Sequence, residues 1–204
     1  MNDLEKRVLE ISYKKQLAHI GSALTALPII KEIYDIKNSD EKFVLSAGHG
    51  HLAHAVVMQE HGIIPDAEKN ISEFGVHCDR AGGCDFSTGS LGHGIGAAVG
   101  MALSDRAKRV FCLLSDGECM EGSVWEALRI AEEQNLENLH LYFNFNGYGG
   151  YKKLNLYSLY AKINAFRVNK KIFFTAFSNV PEWFRGLKAH YAVIDTKEKY
   201  EELT

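Results

Sequence analysis

The sequence predicts an α/β fold in three layers, with helices on both faces of a mostly parallel sheet. Two continuous apolar runs carry that expectation, "RVFCLLS" (109–115) and "LHLYFNF" (139–145). Strands buried on both faces lose the in-out alternation of a half-solvated sheet. Between them, "SVWEALRIAEEQN" spaces its apolar residues as one helical face, which makes a β-α-β crossover between parallel strands. The third observation is glycine: eighteen glycines against three prolines, clustered at Gly48 and Gly50, from Gly82 to Gly100 and from Gly147 to Gly150. Clustered glycine marks close backbone approach to a ligand, most often a phosphate.

The elements follow in order. Leu4, Val8, Ile11, Leu17 and Ile20 form a helical stripe over 4–20 that ends at Gly21. "TALPIIKEIYD" predicts a second helix, with Thr25 as its N-cap and Pro28 in its first turn. "KFVLS" (42–46) reads as a short buried strand, and "GHGHLAHAVVMQEHG" as a helix closed by Gly62. Residues 65–90 read as a long, polar, glycine-rich connection, followed by a tight helix of small residues from Gly92 to Ala102. Ser123 is placed to cap the crossover helix. After Tyr151 the pattern weakens to a helix in "LYSLYAKINAF", a strand in "KKIFFTAF" and a further strand in "YAVID". No repeat, low-complexity tract or linker interrupts the chain. One domain over 1–204 is expected, its part after about 151 shortened or divergent.

A formal charge of −3 with 24% charged and 46% hydrophobic residues gives no reason to expect a polyanionic partner. No apolar run approaches the roughly 20 residues that span a bilayer. "MNDLEKRVLE" reads as a helix start rather than a signal peptide. Cys78, Cys84, Cys112 and Cys119 form no C-x-x-C pair, so reduced thiols in a cytoplasmic protein are expected.

Asp116 follows one apolar run and Asn146 the next. In parallel sheets ligands bind at the carboxyl ends of the strands, so neighbouring strands would bring both side chains to one crevice. A carboxylate and an amide oxygen suit Mg²⁺ or Ca²⁺ and suit zinc poorly, and two such ligands leave positions for water and a phosphorylated ligand. From spacing alone, two ordinary turns account for the pair at least as well. "GHGIGA" (92–97) matches the dinucleotide pattern G-x-G-x-x-G/A without the strand that should precede it, and tight helix packing explains its glycines equally. "HGHLAH" (His49, His51, His54) approaches the H-x-H-x-D-H zinc pattern, with Ala53 where that pattern needs Asp.

In this order the segments resemble the N-terminal, thiamine-diphosphate-binding part of the transketolase family. "HIGSAL" is similar to its G-H-x-G segment and "LSAGHG" to its S-x-G-H-G segment. "STGSLGHGIGAAVGMAL" is similar to the loop and helix over the cofactor diphosphate, and "SDGECMEGSVWEA" followed by "NFN" to the G-D-G…N thiamine signature. The similarity runs from about residue 10 to about 150 and implies the diphosphate-binding domain of that fold. It implies that Asp116, Asn146 and the backbone carbonyl of Tyr148 hold Mg²⁺ (or Ca²⁺), with Gly117 and Glu118 beside the diphosphate. Gly89, Ser90 and Leu91 would contact the cofactor, and His49 would stand at the diphosphate and reaction centre. His19 and His77 would handle substrate hydroxyls and proton transfers. Glu121 would lie at an interface joining two cofactor sites. The implied reaction moves a two-carbon ketol unit from a ketose, such as a ketose phosphate, to an aldose.

The chain departs from the family pattern in places. Ser115 replaces the first Gly of G-D-G, His93 stands where many transketolases have Gln, and "HCDR" replaces a His-Pro segment. After Tyr151 the V-D-G-H-D and T-x-K-G-K-G segments are not recognisable, although a "HY" segment is retained. The family also needs a glutamate from a separate pyrimidine-binding domain, for which this length has no room. The resemblance therefore implies one subunit of a split transketolase, inactive alone and paired with a second chain as α2β2. Alternatives are a subunit of another thiamine enzyme (keto-acid dehydrogenase E1-like or deoxyxylulose-phosphate-synthase-like) and a non-catalytic partner protein of the same fold.

Overall fold

The structure, a computed structural model, describes residues 1–175 and 180–204. In chain order it contains α1 (Asp3–Lys15), α2 (Ile20–Ile36), β1 (Lys42–Leu45), α3 (His51–Glu60), α4 (Ala67–Phe74), α5 (Gly94–Ser104) and β2 (Val110–Ser115). There follow α6 (Gly122–Glu133), β3 (Leu139–Phe145), a hairpin of β4 (Tyr148–Gly149) and β5 (Lys152–Lys153), α7 (Leu156–Asn164), β6 (Lys170–Phe174), α8 (Lys188–Tyr191) and α9 (Lys197–Leu203). The main sheet has the order β1-β2-β3-β6 and every pairing in it is parallel.

The apolar runs explain the layering. Along β2, Phe111 and Leu113 enter one core with Val8, Ile30, Val56 and Phe43, beneath α1, α2 and α3. The alternate residues Cys112 and Leu114 enter a second core with Ile95, Leu128 and Phe143, beneath α5 and α6. A strand that feeds a core on each face has no polar face to show, which is why these runs do not alternate.

Several local expectations are corrected. The first helix stops at Lys15, because Gln16 (φ 54°) and His19 (φ 62°) take left-handed backbone and start a new helix at Ile20. Thr25 is therefore inside α2 rather than at its cap: its hydroxyl donates to the Gly21 carbonyl at 2.9 Å and accepts from Asn144 Nδ2 at 3.0 Å. Pro28 is likewise mid-helix. The connection 65–90 contains α4, capped by Asp66 through the amides of Glu68 and Lys69. Ser123 does not cap α6 but donates to the Gly92 carbonyl at 2.9 Å. "KKIFFTAF" forms a strand over 170–174, its Ala176 and Phe177 lying outside the described residues, while "YAVID" forms no strand. No helix among the described residues is long and apolar enough to cross a membrane.

One close approach fixes the site's geometry. A Cβ added to Gly94, at the start of α5, would lie 2.6 Å from Ser46 Cα and 2.8 Å from its Oγ, just beyond β1. A Cβ on Gly96 would meet nothing within 4 Å. The same substitution should therefore have opposite signs two residues apart. Gly94→Ala is expected to destabilise by about 1–3 kcal/mol through overpacking. Gly96→Ala should stabilise by about 0.5–1 kcal/mol through helix propensity. Urea unfolding of both variants checks this, and a stable Gly94→Ala would show that α5 is free to shift away from Ser46.

Candidate active site

The carboxyl ends of β1, β2 and β3 open into one cleft of about 220 Å³. β1 leads through a helical turn over Gly48–Gly50 that presents His49, and β2 ends at Ser115 before Asp116 and Gly117. β3 ends before Asn146 and the hairpin that carries Tyr148. Parallel pairing in register places Ser115 opposite Asn144, so the two polar strand ends are neighbours, as the spacing required.

Asp116 is fully buried. Its Oδ2 accepts from the Gly147 amide at 2.6 Å and its Oδ1 from the Gly117 amide at 3.0 Å. Gly147 is in the left-handed region (φ 95°), which turns its amide back toward the carboxylate. Asn146 closes the same turn by accepting from the Tyr148 amide at 3.0 Å through Oδ1. Burial pushes the Asp116 carboxyl up to about 7, against the lowering effect of the backbone donors. No cationic side chain among the described residues pairs with it. A buried carboxylate that only amides satisfy, beside an amide oxygen, is a hard-oxygen donor set suited to Mg²⁺ or Ca²⁺. The residues present thus fit such an ion, with Tyr148 on the same cleft wall.

Across the cleft stand four histidines. The His19 ring lies 5.6 Å from His49 and 4.5 Å from His190, and His49 lies 6.1 Å from His190. His77 lines the same cleft and packs where a Cβ on Gly89 would meet its ring at 3.3 Å. Burial, then the neighbouring imidazoles, depresses His19 to about 4 and His49 to about 3. Burial lowers His190 as well. His19 and His49 are therefore neutral near pH 7, able to donate from one nitrogen and accept at the other. Nδ1 of His19 is buried and has no hydrogen-bond partner among the described residues.

His190 is the residue that sequence reasoning missed. It sits on α8 in the "HY" segment, and its carbonyl accepts from the His19 amide at 3.2 Å, which docks α8 against the start of α2. The retained "HY" segment was the signal, but only the packing of α8 gives it a place.

The other expected residues divide. Gly89, Leu91 and Gly117 line the cleft, and Ser90 is exposed between two of them. Glu118 does not line it. Its carboxylate is buried and accepts from Ser46 Oγ at 2.6 Å, the Gly92 amide at 2.9 Å and the Ser115 amide at 3.0 Å. It thus ties the exits of β1 and β2 to the loop before α5. Glu121 is exposed outside the cleft, beside Gly92. The "HGHLAH" histidines separate: His49 faces the cleft while His51 and His54 are fully buried behind it. The "GHGIGA" segment opens α5 with no strand immediately before it, unlike a dinucleotide turn. A separate groove of about 840 Å³ between α6, the hairpin and α7 holds none of the Asp–Asn–His set.

Residues 14–149 match the family model described as "Transketolase, thiamine diphosphate binding domain". The chain belongs to the transketolase family. This transketolase-family chain is 44% identical over 123 residues to transketolase-like protein 2 of Mus musculus, covering 54% of the chain and 19% of that protein. It is 33% identical over 154 residues to a subunit of the apulose-4-phosphate transketolase of Phocaeicola vulgatus, covering 66% of the chain and 55% of that relative. The chain thus spans about a fifth of the mammalian relatives' length and about half of the bacterial relative's. A transketolase structure from Leishmania mexicana superposes with a TM-score of 0.76 over 98% of this chain and 39% of that one, at 19% identity, which establishes the shared fold. The transketolase-family match covers the segments that supply Asp116, Asn146, His19, His49 and His77, and stops before His190.

Proposed function

We propose that this chain is the thiamine-diphosphate- and Mg²⁺-binding subunit of a split transketolase. The observation that carries the reading is the pair of strand ends joined through the Gly147 amide, with Asp116 buried just behind the cleft wall and Asn146 lining the cleft beside a cluster of histidines. Asp116, Asn146 and the Tyr148 carbonyl would hold the metal and through it the diphosphate. When bound, thiamine diphosphate supplies the electron sink for cleaving and forming the bond that moves a two-carbon ketol unit from a ketose to an aldose. The chain's own part is positioning and proton handling. Glu118 holds the Gly92 loop in place. His19 and His49, held neutral by burial, and His77 beside them on the cleft wall would hold and release protons at substrate hydroxyls.

The proposal includes a partner chain that supplies the pyrimidine-binding domain and its glutamate, in an α2β2 assembly in the cytoplasm, with residues 1–204 acting as one domain. The cleft mouth supports this: Leu91, Tyr151 and Tyr191 are large, exposed apolar residues there, a surface that a partner would cover. That the Phocaeicola vulgatus relative is named as one subunit of its transketolase points the same way. The test is calorimetry with thiamine diphosphate and Mg²⁺ on the chain mixed with a polypeptide that supplies the transketolase pyrimidine-binding domain. Micromolar binding and ketol transfer by the mixture, with no turnover by this chain alone, are the expected results. Robust turnover by the chain alone would remove the partner from the proposal, and no binding by the mixture would remove the cofactor role.

A further inference from the structure

Behind the cleft, on the far side of α3, the two remaining histidines of "HGHLAH" meet the two cysteines of the 75–90 segment. His51 and His54 lie one helical turn apart on α3 and are both fully buried. Cys78 and Cys84 are buried against them, 4% and 6% exposed. The four donor atoms lie within 4.8 Å of one another. Cys78 Sγ is 3.6 Å from His51 Nδ1 and 3.6 Å from His54 Nδ1, and Cys84 Sγ is 3.7 Å and 3.6 Å from the same two atoms.

These four distances are nearly equal, and their size is informative. Zinc bonds sulfur at about 2.3 Å and imidazole nitrogen at about 2.0–2.1 Å, so a tetrahedron places each sulfur about 3.6 Å from each nitrogen. Hydrogen bonding alone does not account for the pattern. Two thiols own two protons, yet four sulfur–nitrogen contacts converge here in a dry interior. The outward nitrogens are already engaged. His51 Nε2 lies 3.1 Å from Asn70 Oδ1, and Asn70 is itself anchored by donating to the Gly82 carbonyl at 2.8 Å. His54 Nε2 lies 2.6 Å from the Tyr34 hydroxyl. With Nε2 carrying the proton toward these oxygens, both Nδ1 atoms present lone pairs inward, the orientation that metal-bound histidines receive from their outer partners.

We propose that His51, His54, Cys78 and Cys84 form a Cys₂His₂ zinc site, distinct from the hard-oxygen site at Asp116. Four protein ligands leave no open position, so the site is structural rather than catalytic. Its mechanical role follows from what it joins. Between α4 and α5 the segment 75–93 has no helix or strand, and Cys78 and Cys84 are its apolar anchors in the core. His77 precedes Cys78, and Thr88, whose amide donates to the Cys78 carbonyl at 3.1 Å, leads into Gly89–Leu91. On the other side, His49 is two residues before His51. The ion would hold two walls of the cleft, one on α3 and one on the loop, at a fixed separation. This inference stands apart from the thiamine reading, because none of its four ligands faces the cleft.

The test is made on the full-length chain, without thiamine diphosphate or Mg²⁺. Metal analysis after purification from zinc-supplemented medium, without chelator, should find about one zinc per chain. Replacement by Co²⁺ should give the intense visible bands of tetrahedral cobalt and sulfur-to-cobalt charge transfer in the near ultraviolet. The double variant Cys78→Ser, Cys84→Ser should lose both signals, while Asp116→Asn retains them. Stripping the metal from the wild type should lower the thermal midpoint by about 10 °C or more. If the serine variant does not fold, the wild-type zinc content and cobalt spectrum still decide the matter. A reduced wild-type chain that binds neither zinc nor cobalt stoichiometrically would overturn the site. So would an intact mass two hydrogens light from a Cys78–Cys84 disulfide in the freshly isolated protein.

Discussion

Under the proposed function, Asp116→Asn is expected to reduce thiamine-diphosphate affinity of the chain mixed with its partner at least about 100-fold and ketol transfer at least about 1,000-fold, equivalent to about 4 kcal/mol at the barrier. In the absence of divalent metal the same change should make the fold less sensitive to pH. The reason is the burial of Asp116 without a cation, which raises its pKa from 3.8 to about 7. Below the lower value the group is protonated in both states and contributes nothing to the pH dependence. As pH rises toward the upper value the unfolded chain ionises first, and the wild-type fold loses stability. Asparagine cannot ionise. The stability of the variant relative to the wild type should therefore grow by about 2–3 kcal/mol between about pH 5 and pH 8. Urea titrations at several pH values, with and without Mg²⁺, measure it. A constant difference across that range would mean that Asp116 is ionised without penalty, and the case for an absent cation beside it would fail.

Glu118→Ala should act through the scaffold. Its carboxylate joins Ser46 after β1, Ser115 at the end of β2 and the Gly92 amide before α5. Truncation leaves three buried donors without an acceptor, each costing about 1–3 kcal/mol, while removal of a buried charge offsets part of the loss. A net destabilisation of about 3 kcal/mol is expected, which for a chain of this size lowers the thermal midpoint by about 6–12 °C. Glu118→Gln keeps one carbonyl acceptor and should fall between. Cofactor binding should weaken alongside stability, because the Gly89–Leu91 segment lies on the loop that Glu118 anchors. Full stability with an isolated loss of binding would instead show that Glu118 touches the cofactor directly.

The candidate site was legible in unequal parts. Asp116 and Asn146 could be read because each stands where an apolar strand ends, and parallel strands deliver such ends to one crevice. Spacing could not separate that arrangement from two ordinary turns; the match of residues 14–149 to the transketolase family favours it, while Asp116 and Asn146 also accept turn amides from Gly117 and Tyr148. Glu118, two residues after Asp116, turns its side chain into the protein, onto Ser46 Oγ and the Gly92 and Ser115 amides. Each step along a helical turn changes the direction of a side chain, and no local pattern records which way the donors lie. His190 shares no sequence neighbourhood with the site and arrives there only because α8 packs on α2. The helix α4 escaped notice because eight residues hold too few apolar positions to show a period.

What the sequence by itself determined is the layered α/β fold. Two doubly buried strands and an amphipathic crossover have a strong period, and a sheet with cores on both faces is how such strands lose their polar face. The family segments were readable for a similar reason, since contiguous residues carry each of them. The tertiary structure alone decided which histidines belong together. "HGHLAH" puts His49, His51 and His54 within six residues, but one helical turn sends His49 into the cleft and the other two behind it, against Cys78 and Cys84. The physical reason is that helix geometry and long-range packing, rather than proximity along the chain, determine which donor atoms converge.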